Sequence, residues 1–195
     1  TLVNPSVADW INQYKENYLV IQVARHHAKE QSTIDTLAQE IEAVYQRYHM
    51  PVVLCPIGTA PYHEDQIPLT AIQKTIKTPS FFLENGSIFD IMAVIANSRV
   101  FVGTSLHGAI TAMSFAVPNL ALTSEVYKLT TYLRTWGIPS LQEPIPMYHL
   151  SDEIARALSV SSAELENKRL NLIDASLENF YIMNKALFES EAIAN

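Results

Sequence analysis

Short apolar runs alternate with longer amphipathic segments along this chain. The apolar runs lie at residues 18–23, 52–55, 79–83, 99–102 and 118–122, and each has the length of a buried strand. Between them, apolar residues recur at three- or four-residue spacing, for example from Ile34 to Tyr48, as in an amphipathic helix. Antiparallel hairpins leave no room for such helices, whereas parallel crossovers require them. The pattern therefore predicts an α/β fold with a Rossmann-like, doubly wound parallel sheet.

Capping signals predict where several helices begin and end. The spacing of a capping box occurs at Ser32 to Asp35, at Ser87 to Asp90 and at Ser161 to Glu164, and each predicts a helix start. Pro51 and Gly137 are expected to end two helices. The remaining predicted helices cover residues 68–77, 107–116 and 126–136, with a further helix starting at Ser151.

The pattern changes after residue 138, which divides the chain into two predicted parts. Residues 1–138 are predicted to form a ligand-binding core, and residues 139–195 a Pro-rich connector followed by the C-terminal helices. The last helix carries an apolar stripe made of Leu165, Leu172, Ile173, Leu177, Phe180, Tyr181, Leu187 and Phe188. This stripe is long for a helix that covers one small sheet. We expect it to pack on the core or on an N-terminal domain that this chain lacks.

Composition and charge narrow the class of protein. Hydrophobic residues make up 48% of the chain and charged residues 17%, which is typical of a globular domain. The net charge of −7 argues against a nucleic-acid partner, which requires a basic face. The single cysteine, Cys55, follows Val52-Val53-Leu54 and is predicted to be a buried strand thiol. The sequence shows neither an apolar run of about 18 residues nor a signal peptide, so a cytoplasmic location is expected.

The chemistry is expected at the carboxyl ends of the strands, where loops lead into the next helices. The loop after the fourth strand reads Gly103-Thr104-Ser105-Leu106-His107-Gly108. Its glycines and the free N–H groups of the helix that follows favour an anionic ligand. His107 is the candidate acid, while Thr104 and Ser105 are candidate contacts. The alternative interpretation is that one hydroxyl only caps the helix and that the His107 ring is packed.

Three other strand-to-helix loops carry candidate residues. Arg25 follows the first strand beside His26 and His27, and its alternative role is that of a solvated loop residue. His63 and Asp65 follow the second strand, where acidic residues also favour the start of a helix. Glu125 and Lys128 follow the fifth strand, and Lys128 is a candidate anion contact or an exposed lysine. Adjacent histidines do not converge on one ion, so we predict no metal site. We predict no other cofactor either.

The stretch from residue 87 to residue 128 resembles the C-terminal half of polysaccharide pyruvyl transferases. There, a helix leads to a short strand, the Leu106-His107-Gly108 turn, a helix of small residues and the strand start Ala116-Val117-Pro118. Lys128 matches a lysine of the next loop in that family, and Val23-Ala24-Arg25 resembles the end of its first strand. Many members have Arg where this chain has Ser105, which implies the loss of one anion contact, although Ser variants occur in such sequences.

The resemblance implies a GT-B-type fold, in which two Rossmann-like domains face each other across a cleft. It implies transfer of a pyruvyl group from phosphoenolpyruvate to sugar hydroxyls in cell-surface polysaccharide or exopolysaccharide synthesis. By resemblance, His107 is the acid, and Arg25, Gly103, Thr104, Ser105, Gly108 and Lys128 bind substrate. The family carries a further, N-terminal domain, so this chain is expected to be a C-terminal domain and to be inactive alone. A lipid-linked saccharide acceptor would bring the protein to the membrane surface.

Two other functions fit the sequence. A GT-B glycosyltransferase or sugar-nucleotide epimerase has a similar turn and binds a nucleotide diphosphate sugar, with Glu125 as the nearest candidate for the ribose contact. A non-catalytic interaction module would use the last helix, with the turn reduced to a helix cap. Binding of phosphoenolpyruvate, of uridine diphosphate or of neither separates these possibilities.

Overall fold

The computed structural model describes residues 2–61, 63–122 and 125–189. The strands and helices follow the order α1 Pro5–Tyr14, β1 Leu19–Gln22, α2 Gln31–Tyr48, β2 Val52–Leu54, α3 Gln66–Thr75, β3 Ser80–Phe82, α4 Ile88–Ala96, β4 Val100–Gly103, α5 Leu106–Ser114, β5 Asn119–Ala121, α6 Tyr127–Trp136, α7 Leu150–Leu158 and α8 Ser162–Glu189. Short 3₁₀ turns cover Arg25–His27, Pro139–Leu141 and Met147–His149.

The five strands form one parallel sheet in the order β3-β2-β1-β4-β5. Its central strand, β1, is in register with both neighbours, so that Ile21 lies opposite Leu54 of β2 and Val102 of β4. The remaining pairs, β2 with β3 and β4 with β5, are also parallel. The predicted fold class is confirmed, and all five carboxyl ends lie at the same edge of the sheet.

Alternate residues of each strand pack into different cores on the two faces of the sheet. On one face, Leu19 and Ile21 of β1 pack with α2, α3 and α7. On the other face, Val20 and Phe101 pack with α1 and α4. Cys55 is fully buried in this second core, as predicted, and burial together with nearby Asp65 raises the pKa of its thiol.

Two features near the amino terminus differ from expectation. The structure contains α1, which the sequence analysis did not predict, although Asn4 caps it and Pro5 occupies its first position. The box predicted at Ser32 is not the start of α2, which begins at Gln31 after Glu30. At Ser87, by contrast, both hydrogen bonds of the capping box form.

The two C-terminal helices, α7 and α8, differ in how deeply their apolar side chains are buried. Leu150, Ile154 and Ala157 of α7 are buried in the core that contains α2. Leu165 and Leu172 of α8 pack against the domain. Farther along α8, Leu177, Phe180, Tyr181, Leu187 and Phe188 are all more than half exposed. Among the described residues, no helix is long and apolar enough to cross a membrane.

Candidate functional site

A cavity of about 370 Å³ lies at the carboxyl edge of the sheet. Side chains from four strand-to-helix loops line it, and they include His26, His63, Asp65, Ser105, His107 and Lys128. Because the strands are parallel, these loops meet here although they are far apart in sequence. The structure thus brings together most of the residues singled out from the sequence.

The start of α5 contributes Ser105 and His107 to this cavity. Ser105 is the N-cap, and its Oγ accepts a hydrogen bond of 3.2 Å from the backbone N–H of Gly108. His107 is in the first turn and is exposed, so its ring is not packed in the core. An exposed imidazole beside the positive end of a helix is placed to meet an anion and to donate a proton.

Thr104 is buried, and its hydroxyl is engaged within the protein. Its Oγ1 accepts a hydrogen bond of 3.1 Å from the backbone N–H of Ala24 and lies 3.3 Å from Gln22 Oε1, to which it donates. The Thr104 backbone N–H also donates to Gln22 Oε1, at 2.9 Å. These two partners, the Ala24 N–H and Gln22 Oε1, occupy the Thr104 hydroxyl. The contact of Thr104 with a substrate stays a prediction.

Tight packing inside the domain explains the two glycines of the turn. A Cβ at Gly103 would lie 2.9 Å from Gln22 Oε1, and a Cβ at Gly108 would lie 2.3 Å from the tip of the Phe101 ring. Neither glycine has a positive φ. Their role in the close approach of a ligand stays a prediction.

Arg25 lies beside the cavity described above and lines a larger one of about 730 Å³. His26 and His63 line both cavities. One guanidinium nitrogen of Arg25 is 2.7 Å from a carboxylate oxygen of Glu64, and both side chains are partly exposed. Arg25 does not line the smaller cavity, and its contact with a ligand there stays a prediction.

His27 connects the loop after β1 to the loop after β5. Its ring is nearly buried, and Nδ1 is 3.2 Å from a carboxylate oxygen of exposed Glu125. Burial, followed by the charge of neighbouring His26, lowers the pKa of His27, while Glu125 opposes the shift. Glu125 thus holds a histidine in the structure, and its contact with a ribose stays a prediction.

Lys128 lies in the first turn of α6, after β5, and lines the smaller cavity. Thr123 and Ser124, which begin the same loop, lie outside the described residues, as does Tyr62 in the loop after β2. Within the described ranges, no cluster of three or more His, Cys, Asp or Glu side chains is arranged to hold a metal ion.

Asp65 and Gln22 form a buried hydrogen-bonded pair. Asp65 was a candidate site residue, whereas Gln22 was not. Asp65 does not cap α3 with its side chain; Oδ2 instead accepts hydrogen bonds from the backbone N–H groups of Ile57 and Gly58 and from Gln22 Nε2. The available signal was a polar residue at the end of an otherwise apolar buried strand. Such a residue requires a partner, because a buried amide without one is costly.

Comparison with solved structures supports the fold. The chain is similar to UDP-GlcNAc 2-epimerase from Methanocaldococcus jannaschii, solved in complex with UDP-GlcNAc and UDP, with a TM-score of 0.61, 12% identity, and coverage of 82% of this chain and 43% of that one. It is similar to apo UGT2 of Phytolacca americana, with a TM-score of 0.53, 10% identity, and coverage of 85% and 41%. The chain therefore spans less than half the length of these proteins. It has the fold of one domain of a GT-B-type protein.

The amino-acid sequence shows the family to which the chain belongs. The family described as polysaccharide pyruvyl transferase matches residues 5–125, which is more than half of the chain. This chain belongs to the polysaccharide pyruvyl transferase family. No curated protein sequence matches it.

Proposed function

We propose that this chain is the C-terminal domain of an enzyme that transfers a pyruvyl group from phosphoenolpyruvate to two hydroxyls of a saccharide. The observation that carries the proposal is the placement of exposed His107, the Ser105 cap and Lys128 around one cavity at the start of α5. The family supplies the reaction class, and the cavity supplies a proton donor beside cationic and helix-terminal groups.

His107 is proposed as the acid that starts the reaction. It protonates C3 of the enol, the methylene becomes a methyl group, and positive charge develops at C2. One saccharide hydroxyl then attacks C2 and loses its proton. The bond between C2 and the bridging oxygen breaks as phosphate leaves, and the second hydroxyl attacks C2 and loses its proton, which gives a cyclic ketal and inorganic phosphate. Of the two hydroxyl protons, one restores the acid form of His107 and the other leaves on the phosphate.

The donor's negative charges are proposed to bind to Lys128 and Arg25. Lys128 already lines the cavity, whereas Arg25 exchanges Glu64 for the donor. Charge-assisted hydrogen bonds of this kind contribute roughly 1.5–3 kcal/mol each. The two cationic side chains would make the surroundings of the ligand locally positive, although the chain as a whole has a net charge of −7.

A second folded unit is proposed to complete the active site. The apolar side chains that α8 exposes after Leu172 are suited to pack on an N-terminal domain of the same enzyme. That domain would supply the opposite wall of the cleft and much of the acceptor site. A cytoplasmic enzyme acting on a lipid-linked acceptor at the membrane surface is part of this proposal.

Substitution of His107 tests the assignment in the full-length enzyme. His107→Ala is expected to reduce phosphate release from phosphoenolpyruvate and acceptor at least a hundredfold, within the usual range for loss of a general acid. Its thermal unfolding is expected to match that of the wild type, because the side chain is exposed. The matched control is His149→Ala, an exposed histidine in the turn before α7, which should keep full activity.

Calorimetry separates the candidate functions. The proposal expects wild-type protein to bind phosphoenolpyruvate more tightly than uridine diphosphate. Tighter binding of uridine diphosphate would favour a nucleotide-sugar enzyme, and the absence of binding to either ligand would favour an interaction module. Wild-type turnover by His107→Ala would remove His107 from the mechanism.

A further inference from the structure

The central strand β1 ends in a buried amide at the edge of the sheet where the cavity lies. Leu19, Val20 and Ile21 are fully buried apolar residues, and Gln22, which follows them, is only 2% exposed. Gln22 also lines the smaller cavity. A buried primary amide is stable when its donors and acceptor have partners, so the identity of those partners is informative.

The Gln22 amide joins two loops that belong to different strands. Its Nε2 donates a hydrogen bond of 2.8 Å to Asp65 Oδ2, in the loop after β2. Its Oε1 accepts from the backbone N–H of Thr104 at 2.9 Å and from the Thr104 hydroxyl at 3.3 Å, in the loop after β4. Asp65 and Thr104 extend these links, because Asp65 Oδ2 also accepts from Gly58 N–H and Thr104 Oγ1 from Ala24 N–H.

The neighbouring strand is shaped to accept this amide. Gly103 pairs with Gln22 in the parallel register of β1 and β4. A Cβ at Gly103 would approach Gln22 Oε1 to 2.9 Å and the Gln22 carbonyl oxygen to 3.0 Å. Glycine at this position therefore leaves room for the amide to reach Thr104, which directly precedes the Ser105 cap of α5.

We propose that Gln22 is a positioning residue that sets the start of α5, and with it Ser105 and His107, relative to Gly58 and Asp65 in the loop after β2. Gln22 acts through Thr104 and Asp65 and is not assigned a contact with substrate. The kinetic part of this inference rests on the proposed function. The structural part stands on the hydrogen bonds between the three elements.

Replacement of the amide by a titratable group of the same shape gives a sharp test. In Gln22→Glu, a protonated carboxyl reproduces the amide, since its O–H donates to Asp65 and its carbonyl oxygen accepts from Thr104. Once ionised, the introduced carboxyl has no proton to donate and lies beside the buried carboxylate of Asp65, so its ionisation is opposed and requires a higher pH. His26, His63, His107 and Lys128 also surround the cavity, so the wild-type pH profile is measured alongside.

The expected result is a pH-dependent loss of kcat in Gln22→Glu. At low pH the variant should have kcat within about threefold of the wild type. As pH rises and the introduced carboxyl ionises, kcat should fall at least tenfold relative to the wild type while KM for the donor changes less than threefold. Gln22→Met, which has similar length and no hydrogen bonds, should lose kcat at every pH.

Amide resonances provide a readout that does not depend on activity. The backbone signals of Thr104 to Gly108 should move in Gln22→Glu with the same midpoint as kcat, and those of residues 177–188, in the exposed part of α8, should not move. The control is Asn119→Asp, which places a carboxyl on the adjacent part of the sheet, in β5, at a buried residue outside this network. It should leave the signals of Thr104 to Gly108 in place.

The outcomes separate this inference from the proposed function. Wild-type protein without transferase activity would overturn the proposed function, and the amide signals alone would then decide the role of Gln22. Folded Gln22→Glu and Gln22→Met with wild-type kcat and unmoved α5 signals would overturn the positioning role. Failure of both variants to fold, even at low pH, would overturn it as well, because Gln22 would then be required for the fold itself.

Discussion

Arg25 and Glu64 form an ion pair at the edge of the candidate site, 39 residues apart in sequence. If Arg25 binds the donor, the donor competes with Glu64 for the guanidinium. Pairs with this degree of exposure are worth about 0.2–1 kcal/mol, which corresponds to at most about fivefold in affinity. The pair is therefore a weak competitor, which a ligand that carries both a carboxylate and a phosphate is able to displace.

Glu64→Gln tests this competition. We expect KM for phosphoenolpyruvate to fall by about twofold to fivefold, with kcat unchanged, because the released Arg25 is available to the donor. Steady-state kinetics at low ionic strength is the measurement. Glu143→Gln, which removes the partner of exposed Arg134 outside the site, serves as the control. An increase in KM would mean that Glu64 orients Arg25 for binding.

His27 makes stability depend on pH at the same edge of the sheet. Burial and the charge of His26 lower its pKa in the folded state, while the unfolded chain retains a value of about 6.5. Between these two values the unfolded state binds more protons, so stability rises with pH and is lost as pH falls below about 6.5.

We therefore expect the urea midpoint of the wild type to fall as pH is lowered from about 7.5 to about 5.5. His27→Gln should flatten this dependence, and His149→Gln, at an exposed site, should not. The His26 ring and the Glu125 carboxylate lie beside His27, so the comparison is made between variants over the same pH range. Identical slopes for the wild type and His27→Gln would contradict the assignment.

At the scale of elements, the same Ser-x-x-Asp spacing forms a capping box at Ser87 but not at Ser32. Asp90 completes the capping box of α4, where Oδ2 accepts hydrogen bonds from the backbone N–H and hydroxyl of Ser87. Its other oxygen accepts from the Asn4 backbone N–H at 2.7 Å, which ties the start of α1 to α4. Asp35 lies inside α2 and accepts a hydrogen bond from Gln31 at the surface.

Asp90→Ala should consequently lower the free energy of unfolding by about 1–3 kcal/mol, through loss of the cap and of the contact with Asn4. The hydrogen bond from Asn4, followed by those from Ser87, lowers the pKa of Asp90, so this contribution is also lost in acid. Asp35→Ala should change stability by less than about 0.5 kcal/mol. Equal effects in urea denaturation would show that the box at Ser87 does not stabilise the fold.

At the scale of the whole molecule, α8 extends far beyond the domain that it contacts. Its 28 residues span about 42 Å, and Leu172 near its middle still packs against α5 and α6. Leu177 and Phe180, one and two turns farther on, are each 62% exposed. The distal half of α8 therefore contributes little to the core of this domain.

Polar substitution in α8 should separate domain stability from association. Leu177→Gln with Phe180→Gln is expected to leave the free energy of unfolding within about 0.5 kcal/mol, since both sites are exposed and Gln is a good helix former. Leu129→Ala, on the buried face of α6, should cost about 2–5 kcal/mol. In the full-length enzyme, the double substitution should destabilise the contact between domains. A large loss in the isolated chain would contradict the exposed placement.

Signals that act over a few residues were sufficient to predict most of the architecture. The five apolar runs became the five strands, because a run with no polar face is suited to a sheet covered on both sides. The box at Ser87 was predicted correctly, since its hydrogen bonds lie within one helical turn. The same pattern failed at Ser32, because the N-cap of α2 is Glu30, two residues earlier, and α1 was missed although Asn4 and Pro5 are local signals.

Tertiary structure decided which polar groups meet. The sequence determined the α/β class, the parallel sheet and the edge where the candidate residues lie, because strand alternation fixes those properties. The strand order placed β1 between β2 and β4, and this order alone brings Gln22 within reach of both Asp65 and Thr104. The pairing of Arg25 with Glu64 and of His27 with Glu125 has the same origin, because such contacts depend on the three-dimensional arrangement of loops rather than on any spacing along the chain.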